Sequence, residues 1–296
     1  MSITAKSLIG AHLLEDVVVI VIKYAYSPSC LLVSFDLEST GLQVFTDQIT
    51  EIGAESAVLF DDESYEFLHR QQPSEPNFQT YVKCTRAICL KSQKITGITE
   101  ETLARAPNIA TAMNQFAYYI NNDICKPFDP QTTRILVAYN GTKFDLPMCI
   151  AELEHAGISA SKFMRQLRFS YLLDPLLMAR DVVDTTLLPR DKDGKPCFRL
   201  GGVYEALCGK PLIGAHGALA DSSAVLKLLL EQECFKQALL KDLVSKSPKY
   251  LCNIMNLVTQ VVQSIPKVIP QKQNEPKQKK TKTLLQFYQP IAKDPA

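Results

Sequence analysis

Five side chains in three short segments of this sequence have the chemistry of a metal site. Asp36 and Glu38 lie in FDLESTGL, Asp145 lies in AYNGTKFDLP, and His216 and Asp221 lie in AHGALAD. Carboxylates are the oxygen ligands that magnesium and manganese prefer, and a histidine can accept a proton from water near neutral pH. Together these residues predict a site that cleaves phosphodiester bonds with two metal ions.

The first two carboxylates follow a short apolar run, Leu31 to Phe35, which predicts a buried strand that ends at the turn signal Ser39 to Gly41. Residues two apart on a strand point to the same face, so Asp36 and Glu38 share one face. Two carboxylates beside a hydrophobic core repel each other unless a cation lies between them. Two solvated acids at a strand end are the alternative, so the interpretation depends on the other segments.

The second segment joins a predicted strand, Ile135 to Tyr139, to a predicted helix through the turn signal Asn140-Gly141. The apolar positions that give this helix its periodicity are Met148, Ala151, Leu153 and Ala156. Asp145 precedes Pro147 near the first turn, where a carboxylate either caps the helix or belongs to a site at the end of the sheet.

The third segment places His216 on a glycine-bearing loop and Asp221 at the start of a predicted helix, Ser222 to Leu230. A loop histidine can enter and leave a site and take a proton from water. Taken alone, His216 could instead have a structural role. The order of the three segments along the chain favours a catalytic role.

The three segments resemble the ExoI, ExoII and ExoIII motifs of the DEDDh branch of the DnaQ-like 3′→5′ exonucleases. The resemblance extends over about Cys30 to Glu233, and LGGVYEALCGKPL is similar to the three-prime repair (TREX-like) exonucleases. Shorter matches lie at QITEIG (48–53), ITGIT (95–99) and Leu172-Leu173-Asp174. Ser39 stands where the family usually has threonine, which keeps a hydroxyl group.

This resemblance implies an α/β, ribonuclease-H-like fold with a mixed five-stranded sheet flanked by helices. It implies two Mg²⁺ ions, replaceable by Mn²⁺, with Asp36 touching both. It makes His216 the base that activates the attacking water, where a sister branch has tyrosine. The remaining implied metal ligands are Glu38, Asp145 and Asp221.

The activity that the resemblance implies is release of nucleoside monophosphates from DNA 3′ ends, single-stranded or frayed, in DNA repair, replication proofreading or DNA degradation. Leu42 resembles the residue that packs against the terminal base, and Asn140 and Phe144 are further candidates for contact with nucleic acid. An aromatic beside a strand is also typical of a core residue. Two other functions stay open: a 3′→5′ exoribonuclease, and a non-catalytic adaptor that binds nucleic acid or a sliding clamp.

The composition agrees with an intracellular enzyme. The 296 residues, 46% of them hydrophobic, suffice for one α/β domain of about two hundred residues plus extensions. Nine cysteines without a C-x-x-C pair predict buried or free thiols in a reducing compartment. The resemblance implies the nucleus or a site of DNA replication, with the cytoplasm as an alternative. The apolar stretch Val17 to Ile22 is too short to span a membrane. The net charge is only +1, and affinity for a short DNA 3′ end can come from metals, backbone amides and a few stacking residues without a broad basic face. The resemblance allows a homodimer.

The extent of the resemblance, together with a change in composition at Ile265, divides the chain into four predicted parts. They are an N-terminal extension (1–29), the exonuclease domain (30–235), a C-terminal helical extension (236–264) and a disordered basic tail (265–296). Within the third part, apolar spacing predicts an amphipathic helix over Lys249 to Ser264 that docks on the domain.

The tail has six lysines and three prolines over residues 265–282 and ends in TKTLLQFY. Leu284, Phe287 and Tyr288 resemble the sliding-clamp-binding box of replication and repair proteins, with Thr281 where glutamine is expected. One helical turn would present the three side chains to a hydrophobic pocket. The alternatives are a tail that folds back on its own domain and a nuclear-localisation patch at Pro276 to Lys282.

Overall fold

A mixed β-sheet forms the centre of the protein in this computed structural model, which describes residues 28–60, 64–68, 77–125 and 129–266. Its strands are β1 (Pro28–Ser39), β2 (Ile49–Phe60), β3 (Tyr65–Leu68), β4 (Phe78–Tyr81), β5 (Thr133–Val137), β6 (Tyr171–Leu173) and β7 (Leu251–Asn253). The order across the sheet is β3-β2-β1-β5-β6-β7, and β4 also pairs with β2. Strands β1, β5 and β6 are parallel, and the other pairings are antiparallel.

The predicted count of five strands is too low, because the described part of the chain forms seven. Strands β3, β4 and β7 contain only three or four residues each. Segments this short carry too few residues for a period-two pattern, so sequence alone does not separate them from loops.

The helices along the chain are α1 (Leu90–Thr96), α2 (Glu100–Leu103), α3 (Ile109–Tyr118), α4 (Asp145–His155), α5 (Ala160–Leu167), α6 (Pro175–Val182), α7 (Leu200–Cys208), α8 (Ala218–Glu231), α9 (Glu233–Leu243) and α10 (Ile254–Ser264). A π-helical turn, Tyr119–Ile124, continues α3. No helix in the described segments is both long and apolar enough to cross a membrane.

Two helical layers cover the two faces of the sheet. Odd-numbered residues of β1, such as Leu31 and Val33, belong to a core shared with α3, α4, α5 and α10. Even-numbered residues, such as Cys30 and Leu32, belong to a second core shared with α6, α7, α8 and α9. Because β1 is covered on both faces, its sequence is a continuous apolar run until the acidic residues begin.

The predicted helix over Lys249 to Ser264 begins later than expected, at Ile254. The preceding residues pair with β6 as strand β7, because the buried Asp242 carboxylate accepts the backbone N–H groups of Lys249, Tyr250 and Leu251 at 2.6, 2.8 and 2.9 Å. Helix α10 packs against α4 and α5, which confirms that it docks on the domain.

The structure tests one further expectation from sequence and leaves others open. All nine cysteines are free thiols, as predicted. The N-terminal extension up to residue 27 and the clamp-binding residues Leu284, Phe287 and Tyr288 lie outside the described residues. The predicted division of the chain into four parts stays a prediction.

Candidate active site

Three carboxylates lie on one face of the paired strands β1 and β2. Strand β1 continues through the predicted turn start to Ser39, so Asp36 and Glu38 are both strand residues. The register places Asp36 opposite Gly53 and Glu38 opposite Glu51. Residues directly opposite each other on neighbouring strands share a face, so Glu51 joins the two predicted ligands there. Asp36 and Glu38 are half-buried, and Glu51 is buried.

Asp145 reaches this site from the other layer, as the first residue of α4. Its Oδ1 accepts a hydrogen bond of 3.1 Å from the backbone N–H of Leu37, the residue between Asp36 and Glu38. The side chain is 2% exposed, and the start of α4 shows no side-chain capping hydrogen bond. Asp145 is thus an acidic residue in the first turn of α4 whose carboxylate also ties that turn to β1.

A buried aspartate, Asp174, holds the loop that leads to Asp145. Its carboxylate accepts the backbone N–H groups of Asn140 and Thr142 at 2.8 and 3.2 Å, and the Thr142 hydroxyl at 2.6 Å. Asn140 has a left-handed backbone with φ of 64°, which asparagine tolerates better than most residues. No local sequence pattern assigns a role to Asp174, which lies in the short family match Leu172-Leu173-Asp174.

His216 and Asp221 complete the arrangement from the loop before α8 and its first turn. Helix α8 begins at Ala218, four residues before the predicted start at Ser222, because the loop ends at Gly217. The backbone N–H of His216 donates to the two Asp221 carboxylate oxygens at 3.3 and 3.4 Å. One ligand atom from each of Glu38, His216 and Asp221 lies within 4.8 Å of the others. His216 is exposed, which does not support a structural role in the core.

Burial and mutual repulsion raise the pKa values of these carboxyl groups. Burial, and then the charges of Asp145, Asp221 and Glu38, raise the pKa of Asp36 well above its usual range. Burial is also the largest cause for Glu38, whose pKa is raised to about 8, for Asp145, raised to about 7, and for Asp221, raised to about 6. Hydrogen bonds from backbone N–H groups partly oppose the shift at Asp145.

This donor set fits divalent metal ions. Hard cations such as magnesium bind carboxylate oxygens, and imidazole is a ligand for several transition metals. Because the pKa values of Asp36, Glu38, Asp145 and Asp221 are raised, ionising these groups is less favourable than in water, and a bound cation would offset that cost. The residues best placed to hold a metal ion are Glu38 and Asp221, whose oxygens lie close to His216.

A cavity of about 610 Å³ opens beside these ligands. Glu38 and His216 line it together with Leu42, which is 70% exposed, and Phe144. Phe144 also packs against the core, and its contact with nucleic acid stays a prediction. Asn140 is not among the described residues that line this cavity, and its observed role is in the turn held by Asp174.

Two basic residues of the cavity were not found from sequence. Arg86 and Lys91 line it, and the guanidinium group of Arg86 lies 3.0 Å from the Asp47 carboxylate. They occur in the stretch KCTRAICLK, which has no charge periodicity and no motif that would have singled them out. Lys91 adds a positive charge near the acidic site, whereas the charge of Arg86 is paired with Asp47.

The family model for exonucleases of the RNase T type matches residues 33–229. The chain belongs to this exonuclease family. The matched range contains all three motifs, and the resemblance to the DnaQ-like 3′→5′ exonucleases is confirmed, together with the ribonuclease-H-like fold class. The closer similarity to three-prime repair exonucleases stays a prediction.

A PolC-type DNA polymerase III of Thermotoga petrophila is 31% identical over 119 residues, which is 39% of this chain and 8% of that protein. Similar solved structures include Escherichia coli Exonuclease I in complex with a dT13 oligonucleotide, with a TM-score of 0.52 and 18% identity over 72% of this chain and 44% of that one. The zinc-bound form of the E. coli Exonuclease I complex with single-stranded DNA has a TM-score of 0.52 and 18% identity over 71% of this chain and 43% of that one. The chain thus spans less than half of these structures, which establish the shared fold.

Proposed function

We propose that this exonuclease is a metal-dependent 3′→5′ exodeoxyribonuclease that releases nucleoside monophosphates from DNA 3′ ends. The observation that carries the proposal is the convergence of Glu38, His216 and Asp221 within 4.8 Å at the wall of an open cavity. Asp36 lies on the same strand face, and Asp145 is hydrogen-bonded to the same strand. The DNA-bound Exonuclease I structures with this fold support DNA as the substrate.

In this proposal the residues divide between two Mg²⁺ ions, which Mn²⁺ can replace. Asp36, Glu38 and Asp221 would hold one ion, and Asp36 and Asp145 the other. Such ions neutralise the phosphodiester and make a bound water more acidic. The backbone N–H of Leu37 holds the Asp145 carboxylate at its place, and the N–H of His216 does the same for Asp221.

His216 is the proposed general base. Its imidazole lies beside Glu38 and Asp221 at the mouth of the cavity, on a loop that exposes it to solvent. In neutral form it accepts the proton of the attacking water and passes it to solvent. The left-handed backbone of His216, with φ of 68°, and its hydrogen bond to Asp221 set the direction of the loop at this point.

The cavity residues are the proposed contacts for the DNA end. Leu42 and Phe144 offer apolar surface to the terminal base, and Arg86 and Lys91 offer positive charge to the phosphates. A contact from Asn140 would require its side chain to reach the nucleotide from the neighbouring turn. A sliding clamp that binds Leu284, Phe287 and Tyr288, and a nuclear or replication-site address, stay proposals from sequence.

A matched set of oligonucleotides tests this function. We expect purified protein with Mg²⁺ to shorten 5′-labelled single-stranded DNA stepwise from its 3′ end and to degrade the RNA of the same sequence more slowly, because the 2′-OH is the local difference between the two. Faster degradation of RNA would identify an exoribonuclease. Binding of DNA without release of nucleotides would identify an adaptor.

A further inference from the structure

Glu51 is a buried carboxylate that the proposed metal site does not use. It is 3% exposed and lies on β2 directly opposite Glu38. Its Oε1 accepts a hydrogen bond of 2.7 Å from the side-chain amide of Gln79, and its Oε2 accepts one of 3.2 Å from the backbone N–H of Ala218. Both oxygens therefore already have N–H donors.

The second of these bonds joins the sheet to the helix that carries Asp221. Ala218 is the first residue of α8, two residues after His216 and three before Asp221. The first N–H groups of a helix have no partner within the helix, and a carboxylate there also interacts favourably with the helix dipole. Glu51 supplies that partner from a residue 167 positions away in the chain.

Gly53 brings the same two elements into direct backbone contact. A Cβ atom built on Gly53 would lie 2.2 Å from the carbonyl carbon of Ala218 and 2.2 Å from the backbone nitrogen of Leu219. Glu51 and Gly53 are two apart on β2 and share a face. The start of α8 thus packs on β2 at Gly53 and is hydrogen-bonded to it at Glu51, the neighbouring residue on the same face.

We propose that Glu51 is a positioning residue, which anchors the N-terminus of α8 to β2 and so sets the distance of His216 and Asp221 from Glu38. This inference rests on the proposed function of the site. The occupied oxygens of Glu51 argue against a role as a metal ligand, and the group of close ligand atoms in the described residues consists of Glu38, His216 and Asp221.

The position of Glu51 carries an electrostatic cost. Its charge adds to the burial and the carboxylates that raise the pKa values of Asp36, Glu38 and Asp221. A charge-assisted hydrogen bond to a helix N-terminus is stronger than a neutral one, which offsets part of this repulsion.

Three variants of Glu51 and one control distinguish the effect of its hydrogen bonds from the effect of its charge and from a general loss of stability. Glu51→Ala removes both bonds, and Glu51→Met removes them while filling the space. Glu51→Gln keeps an acceptor for the Ala218 N–H, and the Gln79 amide can reverse to keep the other bond. Glu55→Ala is the matched control, because Glu55 is also buried on the same face of β2 and accepts a bond from Asn77, yet lies about 13 Å along the strand from Glu51.

The first measurement is amide hydrogen exchange of residues 216–221 in metal-free protein, which does not require nuclease activity. We expect exchange there to be at least about 10-fold faster in Glu51→Ala and Glu51→Met than in wild type. Glu51→Gln should stay within about 3-fold of wild type. Glu55→Ala should not change exchange in this segment, even if it lowers the melting temperature.

The second measurement is the Mg²⁺ concentration that gives half-maximal nuclease activity. It should rise about 10-fold in Glu51→Met and little in Glu51→Gln, as expected when a group that orients metal ligands is lost. Wild-type exchange and wild-type Mg²⁺ dependence in Glu51→Met would overturn the proposal, and so would a Glu51→Gln variant as defective as Glu51→Met. A wild-type protein without any nuclease activity would instead contradict the proposed function, and the exchange result would still decide the role of Glu51.

Discussion

Leu37 and Asp145 are joined by a hydrogen bond of 3.1 Å between the backbone N–H of the strand residue and the carboxylate of the helix residue. Leu37 lies between Asp36 and Glu38, with its own side chain in the core shared with α4. One residue thus packs the helix against the sheet and fixes the helix's carboxylate beside the two strand carboxylates. Asp145 thus has an observed role as the acceptor for the Leu37 N–H and a proposed role as a charged metal ligand, and substitutions can distinguish the two.

Asp145→Asn keeps an acceptor for the Leu37 N–H and removes the charge. We expect normal folding but a loss of activity of at least about 100-fold, because a catalytic metal contributes several kcal/mol. Asp145→Ala should lose the same activity and, in addition, about 1–3 kcal/mol of unfolding free energy, since it leaves the buried Leu37 N–H without a partner. Urea unfolding and the nuclease rate measure the two effects, and equal stabilities of the Asn and Ala variants would contradict the role of the bond.

His216→Ala should slow turnover by about 10²- to 10⁴-fold without abolishing metal binding, because it removes the base and leaves the carboxylates in place. Calorimetric titration with Mn²⁺ and the turnover number give the two quantities. His155→Ala, at an exposed residue in the last turn of α4, is the matched control and should behave as wild type. An unchanged rate in His216→Ala would remove the base from the proposed mechanism.

The stability of the metal-free protein should fall as the pH rises from about 5 to about 8. The folded-state pKa values of Glu38, Asp145 and Asp221 are raised to about 8, 7 and 6, so the folded protein binds more protons than the unfolded chain over this range. Their contribution is therefore complete below the unfolded-state pKa values and is lost as the pH passes the folded-state ones.

Metal binding should reverse this trend, since it favours the ionised carboxylates and releases protons. Melting temperatures in chelator and in Mg²⁺ at pH 5, 6.5 and 8 measure both effects. The stabilisation by Mg²⁺ should be largest at pH 8, and a metal-free protein that becomes more stable between pH 5 and pH 8 would contradict the predicted titration.

Gly53→Ala should displace the start of α8 from β2, because the new methyl group would overlap backbone atoms of Ala218 and Leu219. Backbone atoms cannot move aside by a side-chain rotation. We expect a loss of about 1–3 kcal/mol in unfolding free energy together with a loss of activity. Gly201→Ala, in helix α7 with open space around the added atom, should instead stabilise the protein by about 0.5–1 kcal/mol. Thermal unfolding compares the two variants. Equal stabilities would show that the start of α8 can move away from residue 53 at no cost in stability.

Local patterns in the sequence single out the candidate site residues more readily than the short elements that hold them. Asp36, Glu38, Asp145, His216 and Asp221 are close in sequence to strand ends, turns or glycines, and the structure brings them to one end of the sheet. Their roles stay proposals. The local signals are strong because each motif contains residues typical of turns, such as Gly41, Gly141 and Gly217.

Glu51 and Asp174 could not be assigned from sequence for a different reason. Glu51 lies in ITEIGAES, where a polar residue among apolar ones is typical of an ordinary strand. Its partner Ala218 is distant in the chain, and no local pattern encodes that contact. Asp174 likewise acts on a loop more than thirty residues earlier. The strand β7 was missed because its pairing depends on Asp242, which binds the backbone rather than a recognisable side-chain pattern.

Nucleotide release from single-stranded DNA by wild type and by Asp36→Asn tests the central claim most directly. Asp36 is the carboxylate proposed to touch both metals, and asparagine keeps its shape without its charge. We expect Mg²⁺-dependent, stepwise release of mononucleotides from the 3′ end by wild type, stopped by chelator, and almost none from a folded Asp36→Asn variant. Release that proceeds in chelator, starts at the 5′ end, or persists at the wild-type rate in Asp36→Asn would contradict it.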